Sequence, residues 1–351
     1  MLFTGGGTAG HVVPTLPIIQ AFAARGWQVS FVGSTSGLEA RLLQHVPIAY
    51  FGIASGKLRR YLSVDNLKDV FRVLRGIWQA FWLLGRLRPD VVFSKGGFVS
   101  FPVVFAAWAR RIPVVAHESD LTPGLANRLA MPFVRTLCVS FAATPTGRLT
   151  GKVVHTGTPI RPALLAGSAH RGREFLEAPD GLPIVLVTGG SLGADTLNAA
   201  VREALPSLVE QFLVVHVCGP GKLIPADEPR YRQLEYVDEP WGDVLAAADL
   251  VVSRAGANTL FELLALRKPN LLVPLSLRAS RGDQIENATF AAGLGYSQVL
   301  DEEDLTAASL TAAVQALAAQ LPQARQRLEQ FVVPDAVALI CEELLQHAPG
   351  A

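Results

Sequence analysis

Short apolar runs, rich in β-branched residues, recur along this chain, and each is followed by a turn and then by a stretch of helical periodicity. The runs occupy 28–33, 90–93, 113–116, 183–187, 213–217, 249–252 and 270–273. A strand that is apolar throughout is buried on both faces, as in a parallel sheet covered by helices. The alternation of such strands with helices therefore predicts an α/β fold with right-handed crossovers.

Two segments about half the chain apart are alike. Residues 3–10 (FTGGGTAG) and 187–194 (VTGGSLGA) each pass from the end of an apolar run through a glycine-rich turn into the start of a helix. We therefore predict two Rossmann-like domains, with parallel sheets, facing a shared cleft. The first is expected over 1–158 and the second over 159–351.

The boundary between these domains is expected within 155–165, where two prolines and a glycine interrupt the pattern. The last apolar helical pattern, 335–346, could pack on either domain.

The composition excludes several classes of protein. Basic side chains number 31 and acidic ones 30, so the basic excess that nucleic-acid binding needs is missing. No run of 18 apolar residues indicates a membrane-spanning helix, and the N-terminus does not resemble a signal peptide. Cys138, Cys218 and Cys341 are too few and too widely spaced to indicate a disulfide framework or a zinc site. A soluble cytoplasmic protein is the default expectation.

The two glycine-rich turns have a possible functional role. Backbone N–H groups at such a turn, together with the positive end of the following helix, can hold an anion. Glycine is also the ordinary residue of a tight strand-to-helix turn, so either turn alone is weak evidence. Neither turn has the GxxxxGK[ST] or GxGxxG spacing, which argues against ATP and NAD.

A third turn, 253–259 (SRAGANT), follows the run 249–252 and leads into a helix expected over 259–266. Glu262 is expected in the first turn of this helix, where an acid stabilises the helix dipole. The functional alternative is that Glu262 binds two ribose hydroxyls while the helix N-terminus holds a diphosphate.

A further helix is expected to begin at 283–287 (DQIEN). Gln284 and Asn287 share a face of it, and amides suit sugar hydroxyls. Asp283 could simply cap this helix.

Seven blocks of the chain together resemble one known family, the MurG family of glycosyltransferase family 28. The blocks are 4–14 (TGGGTAGHVVP), 94–102 (SKGGFVSFP), 117–128 (HESDLTPGLANR), 155–161 (HTGTPIR), 188–198 (TGGSLGADTLN), 253–262 (SRAGANTLFE) and 283–288 (DQIENA). The resemblance implies a GT-B fold, with two Rossmann-like domains. It also implies an inverting transfer of N-acetylglucosamine from UDP-GlcNAc to the 4-hydroxyl of the muramyl sugar of lipid I, which gives lipid II for peptidoglycan synthesis.

The resemblance also implies site residues. The donor would contact Thr8, Ala9, Gly10, Asp120, Arg161, Ser191, Val237, Arg254, Ala257, Asn258, Thr259, Glu262 and Gln284. Among these, Ser191 and the helix start at Ala257 would face the diphosphate, and Val237 and Arg254 would face the uracil. Glu262 would bind the ribose, and Gln284 would bind the GlcNAc hydroxyls. The acceptor would contact Gly7, His11 and Asn127.

Catalysis requires a base for the acceptor hydroxyl and a way to stabilise departing UDP. His11 has a suitable ordinary pKa, although a histidine at a helix start can simply bond the backbone. The resemblance favours His11 as the base, and Glu118 and Asp120 are the competing candidates. No D-x-D pair ends a strand, so we expect neither metal nor cofactor, and the helix start and the Ser191 turn would stabilise the UDP charge.

The chain departs from the commoner family pattern at three positions. The motif often reads HEQN where this chain has 117–120 (HESD), so a carboxylate, Asp120, replaces an amide. Phe98 replaces a common tyrosine, and Ala9 a frequent glycine. These differences concern the acceptor more than the reaction.

The segment 57–88 is basic and aromatic, with eight basic residues against two acidic ones. At helical spacing, Lys68, Arg72, Arg75, Gln79 and Arg86 share one stripe, flanked by Phe71, Trp78 and Trp82. Val70, Val73, Ile77, Phe81 and Leu84 are expected on the core side. Pattern alone also fits an ordinary two-sided helix. The lipid-linked acceptor that the resemblance implies favours an interfacial helix on anionic lipids, peripheral to the cytoplasmic face of the cell membrane.

Three alternatives to the implied function remain at this point. One is a transferase of the same fold that acts on another lipid, such as diacylglycerol. The second is a UDP-GlcNAc 2-epimerase, which shares the architecture but needs no lipid. The third is a nucleotide-sugar binder without catalytic activity.

Overall fold

The computed structural model describes residues 1–56 and 64–348, with side chains omitted at 64–68. The basic residues Lys57, Arg59 and Arg60, and the side chain of Lys68, lie outside the described part. The chain forms two compact units, Met1–Ile160 with Pro334–Ala351, and Arg161–Val333. The first unit thus ends two residues later than the expected boundary at 158. Within the described residues, 334–348 group with the first unit; the expected range 159–351 included them in the second domain but allowed its last helix to pack on the first.

The first unit is a seven-stranded parallel sheet covered by helices. Its strands are β1 Leu2–Thr4, β2 Ser30–Ser34, β3 Ala49–Ile53, β4 Val92–Ser94, β5 Val114–Glu118, β6 Thr136–Val139 and β7 Lys152–His155. Its helices are α1 Leu16–Ala24, α2 Leu38–Leu42, α3 Val64–Leu87, α4 Ser100–Ala109, α5 Leu125–Ala130 and, from the end of the chain, α14 Ala336–Leu345. The strand order is β3-β2-β1-β4-β5-β6-β7, with every pair parallel.

The C-terminal helix α14 completes a core of the first unit. Ile340 and Cys341 are buried there together with Phe22 of α1 and Phe31 of β2. Burial of apolar side chains is the main favourable contribution to the packing of a helix against a core. The helix expected over 335–346 is therefore present, and it packs on the first unit.

The second unit has a six-stranded parallel sheet. Its strands are β8 Ile184–Thr188, β9 Leu213–Val217, β10 Tyr231–Leu234, β11 Leu250–Ser253, β12 Asn270–Leu272 and β13 Gln298–Val299. Its helices are α6 Pro162–Leu165, α7 Ala169–Phe175, α8 Asp195–Leu208, α9 Trp241–Ala247, α10 Ala257–Ala265, α11 Asp283–Gly293, α12 Ala307–Ala319 and α13 Leu321–Glu329. The order is β10-β9-β8-β11-β12-β13, again parallel throughout.

Each sheet reverses its strand order once, between β1 and β4 in the first unit and between β8 and β11 in the second. In open parallel sheets, ligands bind at the carboxyl ends of the strands beside such a reversal. The glycine-rich turns 5–7 and 189–193 follow β1 and β8 at these positions. The fold therefore places one candidate ligand site in each unit.

The described helices include none that is long and apolar enough to cross a membrane. Cys138, Cys218 and Cys341 are all buried as free thiols.

Candidate active site

The glycine turn of the first unit is tightly packed against its own unit. The N–H of Gly6 donates to the carbonyl of Gly96 at 3.2 Å, and the N–H of Gly7 donates to Oε1 of Glu39 at 2.8 Å. Gly97 has φ +88°, and a Cβ there would overlap the carbonyl oxygen of Gly6. Because two of its N–H groups are already bonded, this turn is not the open anion-binding loop that the sequence suggested. The N–H of Gly7 is therefore not free to donate to the acceptor.

The segment after this turn positions His11. Ala9–His11 form a short 3-10 helix, and the hydroxyl of Thr8 lies 2.8 Å from Nδ1 of His11. Both side chains reach the surface, and Ala9 and Gly10 are partly exposed. The imidazole is therefore oriented by a side chain, and it does more than bond the backbone.

The loop after β5 is held by buried polar groups. Glu118 accepts three hydrogen bonds, from the N–H groups of Asp120 and Gly124 at 3.0 Å each and from Nδ2 of Asn127 at 2.9 Å. Burial raises the pKa of Glu118, and the charge of Asp120 adds to this, while the hydrogen bonds oppose it. Nδ2 of Asn127 also donates to the carbonyl of His117 at 3.1 Å. Asn127 therefore holds this loop, and only its Oδ1 atom could receive an acceptor hydroxyl.

His117 is fully buried on β5 and donates from Nε2 to the carbonyl of Gly157 at 2.9 Å. Burial lowers its pKa well below the usual value, and the nearby charge of Lys95 lowers it further. His117 is therefore a neutral structural residue.

In the second unit, the turn after β8 presents an exposed Ser191. Gly190 has φ +82°, a conformation that favours glycine. A Cβ on Gly193 would overlap the carbonyl of Cys218, which also accepts a 2.8 Å hydrogen bond from Asn198 of α8. These contacts fix the turn while leaving Ser191 at the surface.

Helix α10 begins at Ala257, two residues earlier than expected. Ala257 is buried at its first position, and Asn258 and Thr259 follow in its first turn. Glu262 therefore lies in the second turn. The simple interpretation of Glu262 as an acid that stabilises the helix dipole was wrong, because the first turn holds no acid.

Glu262 is a partly buried carboxyl group that accepts no hydrogen bond from any residue the structure describes. Burial raises its pKa to about 7, and the nearby charge of Arg161 opposes the shift. Arg161 is the residue that immediately precedes α6. A desolvated carboxyl group without a protein partner is a good acceptor for ligand hydroxyls.

Arg254 is bonded mainly within the protein. Its guanidinium donates to the carbonyl of Val273 at 3.1 Å and to Oε1 of Glu302 at 2.5 Å. Burial raises the pKa of Glu302, but the hydrogen bonds from the Ser276 backbone and from Arg254 outweigh it, so the pKa of Glu302 is lowered. Arg254 therefore has less freedom to contact a uracil than the resemblance implied. Val237, the other residue placed at the uracil, is buried after β10.

Helix α11 begins at Asp283, as expected. Asp283 does not cap the helix through its side chain but pairs with Arg281 at 3.2 Å. Oε1 of Gln284 accepts the N–H of Leu275 at 3.1 Å, which leaves its amide N–H groups as donors for a ligand. Asn287 is buried and donates to the carbonyl of Ala255 at 3.2 Å, so it supports the third turn and is not a sugar ligand.

One face of α3 is apolar, aromatic and basic at the surface. Phe71 and Trp78 are each 65% exposed, Trp82 is 60% exposed, and Arg75 is exposed among them. Val70, expected in the core, is 45% exposed. Large contiguous apolar surfaces of this kind mark interaction sites.

Sequence reasoning missed two buried ionic groups at the first site, Glu39 on α2 and Lys95 after β4. Nothing in the spacing of either residue indicates a role, since the fold alone brings them to the glycine turns. Within the described ranges, no group of three or more His, Cys, Asp and Glu residues is arranged to hold a metal ion.

These features define the class of the protein, an α/β protein of GT-B fold, with parallel sheets in two units and candidate sites beside their strand-order reversals. The glycosyltransferase family 28 N-terminal domain matches residues 1–139, and the family's C-terminal domain matches residues 184–339. The chain belongs to glycosyltransferase family 28.

Its similarity to named relatives extends over nearly its whole length. It is 46% identical over 356 residues to the UDP-N-acetylglucosamine–N-acetylmuramyl-(pentapeptide) pyrophosphoryl-undecaprenol N-acetylglucosamine transferase of Legionella pneumophila (strain Paris), covering 99% of this chain and 98% of that one. It is 49% identical over 339 residues to the protein of the same name from Lachnospira eligens, covering 96% of each.

Solved structures agree with this assignment. Acinetobacter baumannii MurG has a TM-score of 0.78 and 28% identity, with coverage of 98% of this chain and 99% of that one. The UDP-GlcNAc 2-epimerase of Neisseria meningitidis has a TM-score of 0.70 at 14% identity, covering 98% of this chain and 99% of that one, and thus shares the fold alone.

Proposed function

We propose that this protein transfers N-acetylglucosamine from UDP-GlcNAc to the 4-hydroxyl of the muramyl sugar of lipid I, with inversion at the sugar, to give lipid II. The observation that carries the proposal is Glu262, a desolvated carboxyl group without a protein hydrogen bond, beside Arg161 in a family 28 chain. The names of relatives at 46% and 49% identity support the choice of both substrates.

The donor is proposed to bind the second unit, at the carboxyl ends of β8 and β11. Ser191 and the N-terminus of α10, at Ala257–Thr259, would hold the diphosphate through hydrogen bonds and the helix dipole. Glu262 would accept hydrogen bonds from the ribose hydroxyls, and the amide N–H groups of Gln284 would donate hydrogen bonds to the GlcNAc hydroxyls. The remaining donor contacts are proposed to come from three residues around the uracil and the phosphates: Val237, Arg254 and Arg161.

The positive end of α10 would also stabilise UDP as it departs. Partial positive charge at a helix N-terminus favours an anion without a change of protonation. The proposal therefore needs no resident metal or cofactor.

The acceptor is proposed to bind the first unit near the Thr8–His11 segment, with His11 as the base that takes the proton of the 4-hydroxyl. Thr8 holds Nδ1 of His11, so the ring is oriented before substrate arrives. Glu118 is less suited to this role, because both of its carboxyl oxygens already accept hydrogen bonds within its own loop.

The exposed face of α3 is proposed to rest on anionic lipid, which would bring the enzyme to a lipid-linked acceptor at the cytoplasmic face of the membrane. Phe71, Trp78 and Trp82 offer apolar surface, and Arg75 offers charge for headgroups. Trp108, near the end of helix α4, which packs against α3, is also exposed, at 51%. There, Arg110 lies over the ring of Phe81 at 4.0 Å from the ring centroid.

A transfer assay tests the proposal. Radiolabelled UDP-GlcNAc is incubated with a lipid I analogue and wild type, His11→Ala or Glu262→Ala, and we expect labelled lipid II from wild type only. His45→Ala and Glu329→Ala, at exposed positions, are the matched controls and should transfer normally. No transfer by wild type, or full transfer by His11→Ala, would contradict the proposal.

A second arm separates the transferase from an epimerase of the same fold. UDP-GlcNAc alone should remain unchanged, whereas an epimerase would form UDP-ManNAc. A third arm replaces the lipid I analogue with diacylglycerol and tests for a transferase that acts on that lipid. We expect no glycosylated product in this arm.

A further inference from the structure

Glu302 is a carboxylate in the second unit to which the proposed reaction gives no role. It lies in a short 3-10 helix, Glu302–Asp304, that follows β13, and its side chain is only 10% exposed. It is outside the seven blocks that resemble the family. Because a carboxylate loses its hydration when it is buried, its oxygens need protein donors in place of water.

The two oxygens of Glu302 accept hydrogen bonds from two different segments of the chain. Oε1 accepts from Nη2 of Arg254, in the turn after β11, at 2.5 Å. Oε2 accepts from the backbone N–H of Ser276, in the segment after β12, at 2.8 Å. Nη1 of Arg254 also donates to the carbonyl of Val273, at 3.1 Å. A single carboxylate therefore joins the third turn to the segment 273–276.

The contact with Ser276 continues to the residue that is proposed to bind the sugar. The N–H of Leu275 donates to Oε1 of Gln284 at 3.1 Å. A backbone N–H can only donate, so the amide oxygen of Gln284 faces this segment and its nitrogen is left to donate elsewhere. Two consecutive N–H groups, of Leu275 and Ser276, thus connect Gln284 to Glu302.

The loop between Ser276 and α11 is also bonded within itself. Oγ of Ser280 lies 3.2 Å from the carbonyls of Leu275 and Ser276 and accepts the N–H of Gly282 at 3.1 Å. These bonds give the loop its own shape, whereas the bond from Ser276 to Glu302 joins it to the 3-10 helix. The position of the Leu275 N–H, and with it the direction of the Gln284 amide, depends on that joint.

We propose that Glu302 is a positioning residue for the sugar half of the donor. It holds Ser276, and through the adjacent Leu275 it sets the amide of Gln284 that donates to the GlcNAc hydroxyls. The inference rests on the proposed donor site for its functional consequence. The hydrogen bonds that lead from Glu302 to Gln284 do not depend on the reaction.

Calorimetric titration with UDP and with UDP-GlcNAc tests this role. The Kd for UDP divided by the Kd for UDP-GlcNAc, here called the sugar ratio, isolates the contribution of GlcNAc. In Glu302→Gln the side chain has one acceptor oxygen for two donors, so the sugar ratio should fall about fivefold. Equal losses of affinity for the two ligands, or no loss, would overturn the proposal.

The matched control is Glu303→Gln, which makes the same change of charge one residue along the chain. Glu303 is 65% exposed, and its carboxylate lies 3.8 Å from the guanidinium of Arg278 in the same loop. An exposed pair of this kind contributes little, so the sugar ratio should change less than about twofold. A fall as large as that in Glu302→Gln would show that charge alone matters and would overturn the proposal.

A double variant identifies the route of the effect. Gln284→Ala should lower the sugar ratio by itself, because it removes the donors to GlcNAc. Adding Glu302→Gln to Gln284→Ala should lower the ratio by less than about twofold more, because two residues that act through one contact are not additive. Independent, multiplicative losses would contradict the connection through Gln284.

A second double variant separates positioning from stability. Arg254→Met/Glu302→Met leaves no uncompensated buried charge, so it should be more stable than Glu302→Gln in urea unfolding. Its Ser276 N–H still lacks the carboxylate, so its sugar ratio should stay low. A sugar ratio that recovers together with stability would overturn the proposal, because the effect would then come from folding.

These titrations use no acceptor, so they also distinguish this inference from the proposed transfer. Wild type that binds UDP-GlcNAc but does not glycosylate the lipid I analogue would refute the proposed function and leave the role of Glu302 intact. Wild type that binds neither UDP nor UDP-GlcNAc would refute the proposed donor site and this inference with it. Normal transfer with an unchanged sugar ratio in Glu302→Gln would refute the inference alone.

Discussion

The backbone N–H of Gly7 donates a 2.8 Å hydrogen bond to Oε1 of Glu39, a carboxylate that is 1% exposed. Oε2 of the same carboxylate lies 3.3 Å from the hydroxyl of Ser34, which donates to it. A side chain from α2 thus fixes the turn that leads to the Thr8–His11 segment. Removing a buried charged acceptor leaves its donors unpaired, and this costs more than the net worth of the hydrogen bond.

Glu39→Ala should therefore destabilise the first unit and loosen the acceptor segment. We expect a loss of about 2 kcal/mol in the free energy of unfolding, from one charged hydrogen bond and the unpaired N–H of Gly7. KM for the lipid I analogue should rise more than KM for UDP-GlcNAc, because Glu39 lies in the first unit. Urea unfolding and steady-state kinetics measure both effects.

The control for this prediction is Glu39→Gln, which keeps an acceptor oxygen for Gly7 at nearly the same volume. It should retain most of the stability and most of the acceptor affinity. Equal increases in the two KM values for Glu39→Ala would show that the residue supports folding without shaping the acceptor segment.

The double variant Trp78→Ser/Trp82→Ser should bind anionic liposomes about tenfold more weakly while remaining folded, because it removes most of the exposed aromatic surface of α3. Co-sedimentation measures the binding, and circular dichroism confirms the fold. Val332→Ser, at an 83% exposed position in the other unit, is the matched control and should bind normally. Unchanged liposome binding by a folded double variant would exclude this face as the membrane contact.

Most of the interior strands could be predicted from the sequence because burial on both faces leaves them apolar from end to end. All seven expected runs form strands, including β8 and β11 on either side of the reversal in the second sheet. The interior strand β6 was missed although it is buried throughout, and so were the edge strands β3, β7, β10 and β13. The edge strands are partly exposed and carry polar residues, so they lack the apolar pattern.

The candidate site was predictable only where motifs lie in one stretch of chain. The turn at Ser191 follows β8 as its motif predicts, and α10 follows the third turn, beginning two residues before its expected start. Glu39 and Lys95 were not predictable, since a glutamate on a short helix and a lysine before two glycines resemble surface residues. Only the packing of α2 against the first turn, and of β4 beside β5, buries them. Val70 was wrongly expected in the core, because the exposed face of α3 is wider than the stripe of basic residues along it.

The buried ion pair of Arg254 and Glu302 should be coupled in stability. Their side chains are 8% and 10% exposed, and breaking such a pair leaves one buried charge uncompensated. Glu302→Gln alone should cost about 3 kcal/mol at pH 7. Replacing Arg254 and Glu302 together by methionine should cost less than the sum of the losses in Arg254→Met and in Glu302→Met. Urea unfolding of the two singles and the double variant measures this coupling, and strictly additive losses would contradict it.

The same pair should respond to acid in a defined direction. Because the pKa of Glu302 is lowered in the folded protein, its stabilising contribution is present above the ordinary pKa of 4.5 and is lost as the pH falls through the folded-state value. The stability difference between wild type and Glu302→Gln should therefore shrink below about pH 4. A difference that stays constant from pH 7 to pH 3 would show that the ion pair does not contribute.

Glu262 should give the opposite pH dependence. Its pKa is about 7 in the folded protein, because burial disfavours the carboxylate, and 4.5 is its ordinary value. Between these pH values the folded state binds more protons than the unfolded state, so the free energy of unfolding should fall as the pH rises. The shift corresponds to roughly 3 kcal/mol, and partial exposure of the side chain reduces the expected fall to about 2 kcal/mol.

Urea unfolding between pH 4.5 and pH 8 measures this fall in wild type and in Glu262→Gln, which cannot ionise. The glutamine variant should be more stable than wild type at pH 8 and nearly equal to it at pH 4.5. The same variant should bind UDP more weakly, because an amide is a poorer acceptor for two ribose hydroxyls than a carboxylate. A gain in stability with a loss of UDP affinity would mark Glu262 as a residue kept for binding at the expense of folding. Parallel pH profiles for the two proteins would show instead that the carboxyl group is solvated and not held ready for a ligand.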